Sequence, residues 1–333
     1  MKSHNDVLGI GLESSCDETA VAVVKNGREI LSNIIFSQID IHREYSGVVP
    51  EIASRAHLEV INNLIDEALT TAGVDFGDID YAAATNKPGL IGSLLIATQS
   101  AKAISYTMNI PLIAINHLEA HLYAPFLEGH DLLFPYIGLL VSGGNTVLFH
   151  VRGIGNLEII GKTVDDAVGE AFDKVSKYLG LGYPGGPVIE KTARNAVIKK
   201  PLFPKLLADA PEGDFRFSYS GLKTAVITYM KDNPHADTSE VVYSFQERAL
   251  EILVRRVFAA ARATGIKQIV VAGGVAANGR LREMLRDAAA DEFIIIPSPL
   301  LCTDNAAMVA GLGYRYFTMG IADPLSTDIS ARL

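Results

Sequence analysis

Only two cysteines, Cys16 and Cys302, occur in the chain, too few for a disulfide framework and suited to free thiols in a reducing compartment. No apolar run approaches the ~20 residues that cross a bilayer, so a helical membrane protein is excluded. Positive charge is also scarce. Lysine and arginine number 29 against 38 aspartates and glutamates, a formal net charge of −9. The chain therefore lacks the basic footprint of a protein that holds nucleic acid unaided; a polynucleotide substrate would need a local patch or a partner. Low-complexity tracts are missing, and 49% hydrophobic residues exclude a disordered chain. Residues 1–6 are polar, with no apolar signal core and no arginine-rich transit pattern, which predicts a cytoplasmic protein.

The 333 residues that are present predict two domains at roughly 100–200 residues each. Apolar runs at 7–15, 19–24 and 29–37, separated by a polar turn at 16–18 and by Asn26-Gly27, predict a three-stranded antiparallel meander. A similar arrangement recurs at 136–142, 146–151 and 157–161 around Gly143-Gly144-Asn145 and a turn at 153–156. After each meander the apolar period lengthens. Helices are expected near 54–72, 90–108 and 117–127, interleaved with strands at 79–85 and 111–116. The second half predicts helices near 165–179, 187–196, 222–231, 239–263, 279–290 and 306–319, with strands at 268–272 and 293–296. This is α/β, in two related lobes divided as 1–130 and 131–333, each with a mixed sheet opened by a meander and flanked by helices. Residues 199–217, holding Pro201, Pro204 and Pro211, read as an insertion or mobile loop.

His117 and His121 stand four apart on an expected helix, a spacing that puts both imidazoles on one face, about 5–6 Å apart, able to share a metal ion. The alternative is two unrelated histidines at a strand-to-helix junction. A zinc-protease signature needs glutamate directly after the first histidine, where Leu118 stands. A third ligand should end a strand elsewhere, and Asp304, after 297–301 and before a helix, qualifies; an ordinary helix N-cap is its other reading. Two histidines and a carboxylate leave coordination positions open and suit iron(II) or zinc(II) as a Lewis acid.

Ser142-Gly143-Gly144-Asn145-Thr146 joins two strands through paired glycines, so backbone N–H groups can approach an anion; a plain glycine hairpin explains it as well. Residues 272–278, Ala-Gly-Gly-Val-Ala-Ala-Asn, follow a strand and open a helix, which suits a nucleotide or simply a tight turn. Tyr183-Pro-Gly-Gly-Pro187 fits close backbone approach or a rigid turn. Asp173, beside Lys174, reads alone as half of a solvated surface pair. Glu13, Asp17 and Glu18 cluster at the first hairpin, where acids order water or a metal, or furnish turn chemistry. Cys16 with distant His57 has no local support as a protease pair.

Two such lobes, each opening with a hairpin that can hold phosphate, resemble the superfamily of actin, hexokinase and the chaperone ATPases. Within it the match is narrower. Gly11-Leu-Glu-Ser-Ser-Cys-Asp-Glu-Thr19, Gly47-Val-Val-Pro-Glu-Ile-Ala-Ser-Arg55 with His57, Asn116-His-Leu-Glu-Ala-His121, Val141-Ser-Gly-Gly144, Gly169-Glu-Ala-Phe-Asp-Lys174, Gly182-Tyr-Pro-Gly-Gly-Pro187, Ser220-Gly-Leu-Lys-Thr224, Ala272-Gly-Gly-Val-Ala-Ala-Asn278 and Cys302-Thr-Asp-Asn305 occur in the order seen in TsaD, the bacterial tRNA adenosine threonylcarbamoyltransferases. The resemblance runs from about residue 7 to 319.

The resemblance implies transfer of a threonylcarbamoyl group from threonylcarbamoyl-AMP to N6 of the adenosine 3′ of the anticodon, in tRNAs reading codons that begin with A, with release of AMP. It makes His117, His121 and Asp304 ligands of one divalent metal, iron(II) or, alternatively, zinc(II). It makes Val141, Ser142, Gly143, Gly144, Asn145, Asp173, Gly186 and Asn278 contacts to the adenylate, with Asp173 a candidate for positioning the donor or accepting the amine proton. It implies work on tRNA with a smaller paralogous partner and an ATPase partner, and a first lobe that offers a dimer face; no membrane is involved. The sequence departs from the family at Asn145, usually histidine, and at Asn86-Lys87, usually alanine-glycine. A sugar kinase or ATPase would share the phosphate hairpins but leave the two histidines and Asp304 unexplained. A non-catalytic binding paralogue is the third reading.

Overall fold

The computed structural model describes residues 6–45, 47–211 and 213–332. Two compact units divide the chain: Met1–Leu132 with Thr303–Leu333, and Leu133–Cys302. The first opens with strands β1 (Leu8–Glu13), β2 (Glu18–Lys25) and β3 (Glu29–Ser37). Residues Leu8–Glu13 are buried throughout, as expected for a strand covered on both faces. Asn26 and Gly27 both take positive φ, 53° and 69°, and form the centre of the turn in which Arg28 N donates to the Lys25 carbonyl (3.1 Å). Helices α1 (Ile39–Arg43) and α2 (Pro50–Ala72) follow, then β4 (Tyr81–Lys87), α3 (Ile91–Met108), β5 (Leu112–Asn116) and α4 (His117–Leu127). Pro50 starts α2, where its missing N–H costs nothing, and Gly73 ends it in the left-handed conformation. The sheet order is β3-β2-β1-β4-β5, antiparallel across the meander and parallel from β1 to β5.

The second unit holds β6 (Tyr136–Val141), β7 (Thr146–Gly153), β8 (Asn156–Lys162), α5 (Val168–Tyr178), α6 (Gly185–Ala193), α7 (Ser220–Asp232), α8 (Thr238–Thr264), β9 (Gln268–Ala272), α9 (Gly279–Ala288), β10 (Phe293–Ile295) and α10 (Pro299–Cys302). Its sheet, β8-β7-β6-β9-β10, repeats the first strand for strand: a meander, then two strands parallel to its first member. The internal repeat is thus a repeat of topology. Phe172, Phe217, Phe245 and Leu253 are among the residues that fill this unit's core.

Three boundaries differ from the sequence reading. Residues 303–333, placed in a second lobe of 131–333, belong to the first unit, because α11 (Ala306–Thr318) packs on β1, β2 and β4 with Ala306 to Gly313 wholly buried. An apolar helix pattern does not say which sheet it covers. Residues 297–301, expected as a strand ahead of Asp304, instead lead into the short helix α10. Pro297 and Pro299 frame this turn, and proline supplies no N–H to a sheet ladder. The stretch 199–217 is irregular but packed: Ser244 accepts from Leu202 N (2.6 Å), Arg248 donates to the Phe203 carbonyl (2.8 Å), and Phe203 and Phe217 are buried. Its described residues are held against α8. Residues 1–5 of the polar start lie outside the described residues. Among the described residues no helix is long and apolar enough to cross a membrane.

The close fit of α11 to β1 depends on Gly11, where a Cβ would stand 2.6 Å from the Ala310 amide nitrogen and against the Ala306 carbonyl. Gly11→Ala should destabilise the protein by about 1–3 kcal/mol through overpacking against helix backbone, read as an earlier urea unfolding midpoint. An unchanged midpoint would contradict this packing.

Candidate metal centre and anion-binding hairpins

The first cluster is built entirely within the first unit. Asn116 ends β5 and caps α4, its side-chain oxygen accepting from the Leu118 (2.9 Å) and Glu119 (3.4 Å) amides. That cap starts the helix on His117, and one turn later His121 meets it edge to face, ring centroids 4.6 Å apart. Asp304 is not the cap of α11. Asn305 takes that role, accepting from Met308 N at 3.0 Å. Asp304 is left to face the histidines, its Oδ1 lying 3.0 Å from His121 Nε2 and 3.5 Å from His117 Nε2. One ligand atom from each of His117, His121 and Asp304 lies within 4.8 Å of the others. Glu13, fully buried at the end of β1, accepts from Ser15 N (2.6 Å) and Thr85 Oγ1 (2.5 Å) and lies 3.0 Å from His117 Nδ1.

Burial opposes charge on His117, but the Glu13 and Asp304 carboxylates outweigh it and lift the ring to about 9. Burial likewise opposes ionisation of Asp304, yet His117 and then His121 draw it down to about 2. Burial keeps His121 below the usual imidazole range. Without a metal the cluster is therefore one imidazolium between two carboxylates, with the second imidazole neutral. The buried Nδ1 of His121 has no hydrogen-bond partner among the described residues. Two imidazoles and one carboxylate within reach of one point fit a divalent transition metal with open positions.

The neighbouring turn offers no nucleophile. Burial, then Asp17 and Asp304, push the Cys16 thiol well up, and His57 meets Cys16 through its carbonyl (Nε2 to O, 3.0 Å). Thr19 Oγ1 lies 2.7 Å from His57 Nδ1. Burial and the adjacent Asp17 also push Glu18 well up, whereas His117 holds Glu13 below the usual carboxylate range against its burial.

The hairpins lie in the second unit. Ser142 N donates to the Asn145 carbonyl (2.8 Å) and Asn145 N to Ser142 Oγ (3.1 Å), closing a turn whose Gly143 and Gly144 are exposed. A Cβ on either would meet nothing within 4 Å. Gly169, at the start of α5, is the opposite case: its Cβ would stand 2.6 Å from the Ser142 carbonyl. The fold needs Gly169, whereas Gly143 and Gly144 leave backbone N–H groups open to an incoming anion. The same contrast separates Gly185, where a Cβ would stand 2.5 Å from the Phe172 carbonyl, from open Gly186.

Asp173 accepts from Gly185 N at 2.7 Å, holding the start of α6. Lys174 pairs with Asp166 (2.6 Å) and Glu170 (2.8 Å). Val141 ends β6, and Gly273 (φ 92°) lies where a side chain would strike its carbonyl. Asn278 caps α9, accepting from Leu281 N (3.0 Å) and donating to Gln246 Oε1 (3.2 Å). Its role is to set the helix start, beside which Glu190, Tyr243, Gln246, Gly279 and Arg280 line a cavity of about 470 Å³. Glu190 accepts from Gly279 N at 3.2 Å. At the other departure, the Asn86 side chain donates to the Asp328 carbonyl (3.1 Å) and its backbone carbonyl accepts from Ser330 N (3.0 Å), and neither Asn86 nor Lys87 takes a positive φ.

Sequence reasoning missed Asp165 and Asp166. Asp165 accepts from Ser218 Oγ (2.6 Å), Tyr219 N (2.8 Å) and Ser220 Oγ (2.7 Å), and Asp166 joins Lys174 to Lys223 (2.7 Å). Only the acidic pair ahead of α5 hinted at them, and apart from Lys174 these partners lie more than fifty residues on.

Two meander-led sheets of identical order, one carrying an open glycine hairpin, define a protein of the actin and hexokinase-like ATPase fold. Solved structures agree at the level of fold: component A of Acidaminococcus fermentans (R)-2-hydroxyglutaryl-CoA dehydratase (TM-score 0.56, 16% identity, 94% of this chain and 99% of that one) and T. kodakarensis HypF (TM-score 0.64, 15% identity, 94% of this chain and 48% of that one). The sequence is far more specific. Residues 29–311 match the family described as TsaD, tRNA N6-adenosine threonylcarbamoyltransferase. Proteins of that name from Kosmotoga olearia and Symbiobacterium thermophilum are 50% and 48% identical, over 96% and 98% of this chain and 96% and 97% of theirs. The chain belongs to the tRNA N6-adenosine threonylcarbamoyltransferase family, and is a transferase of tRNA modification.

The histidine cluster has a measurable signature. With its folded value raised to about 9, His117 contributes stability fully present below the ordinary unfolded value near 6.5 and lost as pH rises through about 9. In metal-free protein, the His117 ring resonance should titrate near pH 9 and the urea midpoint should fall across the same interval. Titration near 6.5 with a flat midpoint would contradict the electrostatics.

Proposed function

We propose that this chain transfers the threonylcarbamoyl group of threonylcarbamoyl-AMP to N6 of the adenosine 3′ of the anticodon, in tRNAs reading codons that begin with A, releasing AMP. The observation that carries the reading over an ATPase or sugar kinase of the same fold is the buried convergence of His117, His121 and Asp304, which phosphate transfer to a sugar leaves without a purpose. In this proposal these three residues hold one divalent metal, iron(II) or zinc(II). When bound, the metal supplies Lewis-acid polarisation or orientation of the donor.

The second unit's part follows from its open backbone. Amides of Gly143 and Gly144 meet the donor phosphate, with Val141, Ser142 and Asn145 framing the turn, and they stabilise charge as AMP departs. Asn145 can donate to a phosphate oxygen where the family usually has histidine. Open Gly186 and the α9 start set by Asn278 receive the adenosine. An exocyclic adenine amine is a poor nucleophile, so activation rests with the donor. Asp173 is assigned to positioning through Gly185, with proton acceptance as the competing role. Given the net charge of −9, tRNA is held by an assembly with a smaller paralogous partner and an ATPase partner, and the first unit offers a face for dimerisation.

The experiment is expression in cells depleted of their own enzyme but retaining the partner proteins, followed by mass spectrometry of threonylcarbamoyladenosine in digested tRNA. Wild type should restore the nucleoside, and His121→Ala should lower it on the order of 100-fold. No restoration by soluble wild type with its native partners would favour the binding paralogue. For Asp173, the Asn variant keeps an oxygen for Gly185 N and should retain most turnover, while Asp173→Ala should lose it. An Asn variant as inactive as the Ala variant would instead establish proton acceptance.

A further inference from the structure

Glu13 is fully buried on β1, and its oxygens are already spoken for by fixed donors. Oε1 accepts from the Ser15 amide at 2.6 Å, and Oε2 accepts from the Thr85 hydroxyl at 2.5 Å. His117 Nδ1 lies 3.0 Å from the same Oε2. A carboxylate only accepts, so the imidazole must present Nδ1–H to it. That leaves the other nitrogen, Nε2, as the lone-pair side of the neutral ring, and Nε2 is the atom 3.5 Å from Asp304 Oδ1. Ser15 Oγ, 3.2 Å from Nδ1, can rotate to donate or accept and cannot set the tautomer by itself.

We propose that Glu13 is a positioning residue: it fixes His117 as the Nδ1–H tautomer and so presents Nε2 as a metal ligand, an inference that rests on the metal reading above. His121 lacks an equivalent, since its buried Nδ1 has no hydrogen-bond partner among the described residues. The support is therefore specific to His117.

Glu13→Gln tests this by chemistry as well as by deletion. The Ser15 amide is an obligate donor, so the new amide must turn its oxygen toward Ser15 and its NH2 toward Thr85 and His117. Thr85 can rotate its hydroxyl to accept. His117 cannot both accept that N–H at Nδ1 and keep Nδ1 protonated, so the ring is driven to the Nε2–H tautomer, which has no lone pair for a metal.

The experiment titrates anaerobic metal-free protein with Co(II), reading visible absorption and obtaining affinity by chelator competition. Wild type should bind one Co(II), and Glu13→Gln should bind it about 10–100-fold more weakly. Because the variant can also perturb folding, nitrogen NMR of histidine in Zn(II)-loaded wild type gives an independent readout: His117 should show protonated Nδ1 and metal-bound Nε2. Equal Co(II) affinity in the variant, or a His117 bound through Nδ1, overturns the inference alone. Failure of wild type to bind either ion overturns the metal reading, and the inference with it.

Discussion

The seating of α11 against β1 is the contact on which the histidine cluster depends. Asp304 precedes α11 directly, so its carboxylate reaches His117 and His121 only because that helix returns to the first sheet and lies close to strand backbone at Gly11. Asn305 completes the arrangement by taking the helix cap. Had Asp304 served as the cap, its oxygens would be spent on backbone amides, and the two histidines would lack an anionic partner. A packing constraint more than a hundred residues from the histidines in sequence is what turns them into a site.

The second unit solves a different problem with the same topology. The first turn of its meander, between β6 and β7, carries two glycines that packing does not require, while a third, Gly169, is required to bring α5 against that turn. Rigid support and open backbone are thereby supplied by different residues of one residue type. Asp173 fits the same logic, tying α5 to the start of α6 at Gly185 so that Gly186, where a Cβ would meet nothing within 4 Å, stays open on a fixed backbone.

Local pattern carried much of this. Alternating apolar strands, Asn26-Gly27 and the i, i+4 histidines identify elements whose forces act within a few residues, and those elements stand within a few residues of expectation. The allegiance of α11 was not legible, because an apolar face records burial but not the partner that buries it. The same limit explains why Glu13 was grouped with Asp17 and Glu18: all three are acids near one turn, and only long-range contacts with Thr85 and His117 separate the first from the others. Asn278 was singled out for substrate, and its capping of α9 was not legible in the sequence.

The central claim is that His117, His121 and Asp304 together hold one metal ion. Its most direct test is elemental analysis of protein purified anaerobically, beside Asp304→Ala prepared identically. The account predicts close to one equivalent of iron or zinc in wild type and almost none in the variant. Equal metal content in both, or none in wild type even after reconstitution with iron(II) and zinc(II), would contradict it.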